Sequence, residues 1–161
     1  MKLESSVFEH EGAIPAKYTC DGENISPPMK ISDVPQGTES LVLIMDDPDV
    51  PKSIRPDGVW DHWLVWNIPP ETNEITEGQD LRAGKQGQWA VGKNTSSRLG
   101  YQGPCPPDRE HRYFFKLYAL DTVLDLSPET TTKSDLEAAM QSHILSQAEL
   151  MGRYNRAESR S

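Results

Sequence analysis

The sequence predicts a mainly β domain closed by a helical end, on three observations. Proline (13) and glycine (11) cluster through the first two thirds and cut it into short extended pieces joined by turns. Two of those pieces alternate with period two. The last third instead carries a helix-capping signal followed by apolar residues at helical spacing.

In chain order, the first clear element is Leu41-Val42-Leu43-Ile44-Met45, closed by Asp46-Asp47-Pro48, which predicts a strand buried on both faces and stopped by proline. Val59 to Ile68 alternates, with Trp60, His62, Leu64, Trp66 and Ile68 expected on one face and Asp61, Trp63, Val65 and Asn67 on the other. Tryptophan on both faces predicts a central strand. Arg112 to Leu120 sets Tyr113, Phe115, Leu117 and Ala119 on one face, and His111 joins them if the strand begins one residue early. Ser127-Pro128-Glu129 predicts a short helical turn. The capping box Ser134-Asp135-Leu136-Glu137, with Leu136, Met140, Ile144 and Leu150 or Met151, predicts an amphipathic helix running to Gly152. One domain is expected over 1–161, with 154–161 as a flexible polar tail.

Composition narrows the function. A formal charge of -9 repels phosphate backbones and anionic membrane surfaces, so nucleic acid is not an expected partner. Any bound anion must be held by a local set of donors. The sequence shows no signal-peptide core and no apolar stretch of membrane-spanning length, which gives a cytoplasmic address and no integral membrane segment. In that compartment Cys20 and Cys105 are expected as two buried thiols rather than as a bridge. Residues 87–93 match a phosphate-binding loop up to Asn94, which replaces the magnesium-binding Ser or Thr, and no strand–helix context surrounds them. The stretch is therefore read as chance. Common hydrolase, zinc-protease and paired-cysteine signatures are absent.

Three segments carry more chemistry. Asp47-Pro48-Asp49-Val50-Pro51 puts two carboxylates on a proline-stiffened corner at a strand exit. His62 lies inside the aromatic strand Trp60-Asp61-His62-Trp63, where an ionisable ring is costly to bury without a partner or a cavity. Gly103-Pro104-Cys105-Pro106-Pro107 leads to His111-Arg112-Tyr113 at a strand entrance. Each alone also fits a structural turn or a satisfied buried histidine.

Together, and with Ile14-Pro15-Ala16-Lys17-Tyr18-Thr19-Cys20-Asp21-Gly22 and Tyr118-Ala119-Leu120-Asp121, these segments resemble the phosphatidylethanolamine-binding protein family, in its bacterial and archaeal Raf kinase inhibitor-like branch. The resemblance covers residues 3 to 152. It implies a sandwich of a large and a small antiparallel sheet with one or two helices near the C-terminus. It also implies an anion-binding cavity lined by Asp47, Asp49, His62, Gly103, Pro104, His111 and Tyr113, and a cis proline at Val50-Pro51. The segment Asp108-Arg109-Glu110 departs from the pattern by its charge.

The expected function is non-catalytic binding of a small anion such as phosphate, acetate or a phosphoethanolamine-like headgroup, with no metal and no cofactor. The histidines, the loop backbone near Gly103 and the Tyr113 hydroxyl are the expected donors, and Asp47 the acceptor that orients a histidine. On this account affinity falls as the histidines deprotonate. Two other classes are a protein-interaction module restraining a kinase or protease, and a hydrolase using His62 and His111. Exposed sheet edges favour a homodimer.

Overall fold

The run 41–45 is the centre of the molecule. In the computed structural model, which describes residues 1–79, 85–86 and 89–156, it lies within β4 (Ser40–Asp47), all eight of whose residues are buried. β4 pairs antiparallel with β5 (Trp60–Ile68) on one side and β9 (His111–Leu120) on the other. These three strands, β2 (Gly12–Ala13), β7 (Lys85–Gln86), β8 (Trp89–Val91) and β10 (Ile144–Tyr154) form a seven-stranded sheet in the order β2-β10-β9-β4-β5-β8-β7. β1 (Lys2–Glu4), β3 (Met29–Ser32) and β6 (Glu74–Ile75) form a three-stranded sheet in the order β1-β3-β6. All pairings are antiparallel except β2 with β10.

Alternation on β4 makes two cores. Leu41, Leu43 and Met45 join Phe115, Leu117, Trp63 and Val65 in the layer that receives Leu3, Met29, Ile31 and Ile75 of the small sheet. Val42 and Ile44 join Leu64, Trp66 and Leu120 under α1 (Lys133–Met140), which buries Leu136 and Met140. The sandwich and an α-helix near the C-terminus agree with the expected fold class.

The predicted helix to Gly152 is corrected. α1 ends at Met140, and Ile144–Tyr154 is an 11-residue strand along β9, with Gly152 opposite Tyr113. Its inward set is Ser146, Ala148, Leu150, Gly152 and Tyr154. Small residues at three of those places hide a period of two, while Ile144 and Met151 fall by accident on helical positions. Gly152 does not stop a helix; a Cβ there would meet Ile14 Cγ1 at 2.5 Å. The capping box also shifts: Asp135 N–H donates to Thr132 Oγ1 at 3.1 Å, and Thr132 N–H to Asp135 Oδ2 at 3.0 Å. Ser127 closes a single turn through the Thr131 amide, 3.1 Å, not a helix.

Four smaller expectations meet different outcomes. Cys20 and Cys105 are exposed and joined in a disulfide, not buried as thiols. The bridge ties the loop after the 3₁₀ turn Ala16–Tyr18 to the proline loop, alongside a Cys20 N–H bond to Pro104 O of 3.1 Å. No peptide bond among the described residues is cis, so Val50-Pro51 is trans. Tyr154, placed in the predicted tail, is buried as the last residue of β10, while 157–161 lie outside the described residues. Of the stretch 87–93, residues 87–88 lie outside the described residues and Trp89–Val91 is β8; Asn94 then turns the chain by accepting the Ser96 amide at 2.9 Å, with no helix after it.

Candidate functional site

One irregularity in β5 builds the site. Strict alternation would put His62 with Leu64 and Trp66, under the helix. The register with β4 instead runs Met45 opposite Trp63 and Asp46 opposite Asp61, so His62 is the extra residue of a β-bulge. Asp61 and Asp46 then both reach Lys133 of α1, at 2.8 and 3.2 Å. His62 turns to the opposite face and meets the Tyr113 ring edge-on, with centroids 5.3 Å apart. A second register shift lies near Asn67, whose φ of 57° is left-handed, and it moves Ile68 to the same face as Trp63.

A cavity of about 250 Å³ lies between the ends of these strands. His62, Asp47, His111 and Tyr113 line it from β5, β4 and β9. Val50, Ile54, Trp60, Pro106 and Pro107 add apolar walls, with Gln102 and Cys105 between them. It is a polar floor in an apolar cup, the usual composition of a small-ligand site.

The floor is tightly bonded. His62 Nδ1 lies 2.6 Å from the Gln102 carbonyl, so Nδ1 carries the proton and donates. Burial pushes the ring down to about 4, against the Gln102 bond, and it is neutral at pH 7 with Nε2 as an acceptor. The Gln102 side chain in turn receives Trp60 Nε1–H at 2.9 Å. His111 is 1% exposed and stands between two carboxylates: Nδ1 to Asp47 Oδ2 at 2.6 Å and Nε2 to Asp108 Oδ1 at 2.7 Å. Both ring nitrogens are thereby engaged by carboxylates. Asp47 also receives the Asp49 amide at 2.7 Å; burial raises its carboxyl above the usual range, while the His111 bond pulls the other way. The Tyr113 hydroxyl is fully buried with no hydrogen-bond partner among the described residues, and burial raises it too.

Of the seven residues expected at the site, Asp47, His62, His111 and Tyr113 meet in the cavity, and Asp49, Gly103 and Pro104 are not among its lining residues. Asp49 grips Arg112 through the guanidinium at 2.8 and 2.9 Å and its amide at 2.9 Å, and that clamp holds its carboxyl below the usual range. The Gly103 amide is spent on Asn24 Oδ1 at 2.9 Å. Gly103 is needed for close approach, because a Cβ would meet Asn24 Oδ1 at 2.3 Å and Tyr18 O at 2.4 Å. His111, not His62, is the partner of Asp47. Asp108 shows in the sequence only as unexpected charge, and its place three residues before His111 is the signal that could have identified it. Trp60 shares the alternation of His62 at the start of β5, whereas Gln102 and Ile54 have no sequence signal, because loop closure brings them in. Among the described residues no group of three or more His, Cys, Asp or Glu side chains is arranged to hold a metal ion. No helix is long and apolar enough to cross a membrane among the described residues.

Comparison with known proteins agrees with this architecture. A UPF0098 protein of Chlamydia pneumoniae is 48% identical over 157 residues, covering 98% of this chain and 100% of the relative. One from Methanothermobacter thermautotrophicus is 50% identical, covering 97% and 99%. The crystal structure of a phosphatidylethanolamine-binding protein homolog from Chlamydia trachomatis superposes with a TM-score of 0.87 at 48% identity, covering 95% of each chain. Escherichia coli YbcL, described as a member of the mammalian family, gives 0.85 at 26% identity, covering 95% and 96%. The family model for phosphatidylethanolamine-binding proteins matches residues 4–155, and the chain belongs to that family.

Proposed function

We propose that this protein binds, without transforming it, a small phosphate-bearing ligand or phospholipid headgroup in the Tyr113 cavity, and that binding serves a regulatory role. The observation that carries the reading is the Tyr113 hydroxyl, buried on a ring that meets His62 edge-on and lacking a partner among the described residues. Leaving such a hydroxyl unbonded costs about 1–3 kcal/mol, which a ligand oxygen recovers. A singly protonated phosphate, inorganic or as a monoester headgroup such as phosphoethanolamine, suits both groups, since one oxygen accepts from Tyr113 and its O–H donates to His62 Nε2. The donor role first expected of His62 is thereby reversed. The lack of catalysis is supported by Cys105, which is held in the disulfide rather than free to attack.

Calorimetric titration with inorganic phosphate and phosphoethanolamine tests the reading. Saturable binding is expected, with the ligand recovered intact, and Tyr113→Phe should weaken it about tenfold. Turnover of a phosphoester that His62→Ala abolishes would replace binding with hydrolysis.

A further inference from the structure

Among the described residues the lining of the cavity includes no lysine or arginine, and both nitrogens of its His111 ring already face carboxylates. Nδ1 belongs to Asp47, buried in the floor, and Nε2 belongs to Asp108, whose side chain is 40% exposed on the bend before β9. The two carboxylates differ in what holds them. Asp47 sits on β4 with a second bond from the Asp49 amide, whereas Asp108 has a nearby alternative in the Arg109 guanidinium, 3.8 Å from its other oxygen.

We propose that Asp108 is an internal competitor, a carboxylate of the chain itself occupying the histidine N–H that a phosphate oxygen takes when ligand binds. The proposal rests on the cavity being a phosphate site. Binding is then an exchange: the His111 Nε2–H bond to Asp108 breaks, one to the ligand forms, and the freed carboxylate turns toward Arg109. The side chain alone has to move, because Cys105 is tied to Cys20 and three prolines stiffen the preceding loop. The exchange shapes both affinity and specificity. Apparent affinity is lowered by the fraction of molecules in which Asp108 is docked. A simple carboxylate gains little by replacing one of the same kind, while a protonated phosphate adds a bond to His62 and is preferred.

The test is calorimetric titration of the full chain with inorganic phosphate and, separately, acetate, for wild type, Asp108→Ala and Asp108→Asn. Asp108→Ala is expected to bind phosphate about tenfold tighter and to gain acetate binding that wild type lacks at the same concentration. Asp108→Asn, which keeps the shape but not the charge, should fall between. If wild type binds phosphate and both variants bind it equally or more weakly, Asp108 is not a competitor while the phosphate reading stands. If neither wild type nor the variants bind phosphate, the phosphate reading fails and the competitor with it.

Discussion

At the scale of single residues, the site turns on what each histidine ring nitrogen faces. His62 and His111 both pack against the Tyr113 ring, with centroids 5.3 and 6.4 Å away, yet their neighbours differ. A carbonyl oxygen fixes the His62 tautomer and burial keeps the ring neutral, whereas two carboxylates hold His111. The pH dependence of stability reports this. The folded His62 value of about 4 lies below the ordinary 6.5, so between those limits the unfolded chain takes up a proton that the folded chain refuses. Its contribution is full above pH 6.5 and declines as pH falls toward 4, by about 3 kcal/mol in all. Asp47, raised by burial above its ordinary 3.8, has the opposite sign, so the comparison must be with a variant. Urea unfolding of wild type and His62→Asn at neutral pH and at pH near 4.5 should show the gap between them narrowing on acidification; a constant gap would mean His62 is not held neutral.

At the scale of elements, regular periods are legible in the sequence and their interruptions are not. β4, β5 and β9 can be read because long aromatic and branched side chains mark their faces. The bulges of β5 cannot, since an added residue leaves no trace in an alternating run of tryptophans and histidine; only pairing with β4 exposes it. That is why strict alternation puts His62 on the wrong face even though its chemistry singles it out. β10 is hidden for a different reason: Ser146, Ala148 and Gly152 are too small to display the period they obey. The strand assignment makes Gly152→Ala an informative substitution. Its methyl would press on Ile14 Cγ1 at 2.5 Å and Phe8 Cε2 at 2.8 Å, so it should cost about 1–3 kcal/mol in denaturant unfolding. An unchanged unfolding midpoint would mean that Gly152 does not pack against Ile14 and Phe8 as β10 places it.

At the scale of the whole molecule, a net charge of -9 works against the anion binding proposed for the cavity. The groups that would offset it are the His111 ring held between Asp47 and Asp108 and the Tyr113 hydroxyl, unpartnered among the described residues. The loop geometry depends on connections far apart in sequence, which is why Gln102 and Ile54 have no signal of their own. The Cys20–Cys105 bridge spans 85 residues and fixes a cavity wall. Cys20→Ser should lower stability by about 2–4 kcal/mol and weaken phosphate binding beyond what unfolding explains. Equal affinity in wild type and variant under folded conditions would show that the bridge serves stability alone.

The most direct test of the account is the ¹⁵N NMR spectrum of the His62 side chain at pH 7 during titration with inorganic phosphate. A neutral ring protonated on Nδ1, whose Nε2 signal shifts saturably as phosphate is added and does not do so in Tyr113→Phe at the same concentrations, is the predicted result. A positively charged His62 ring, or an Nε2 signal that phosphate leaves unmoved, would contradict it.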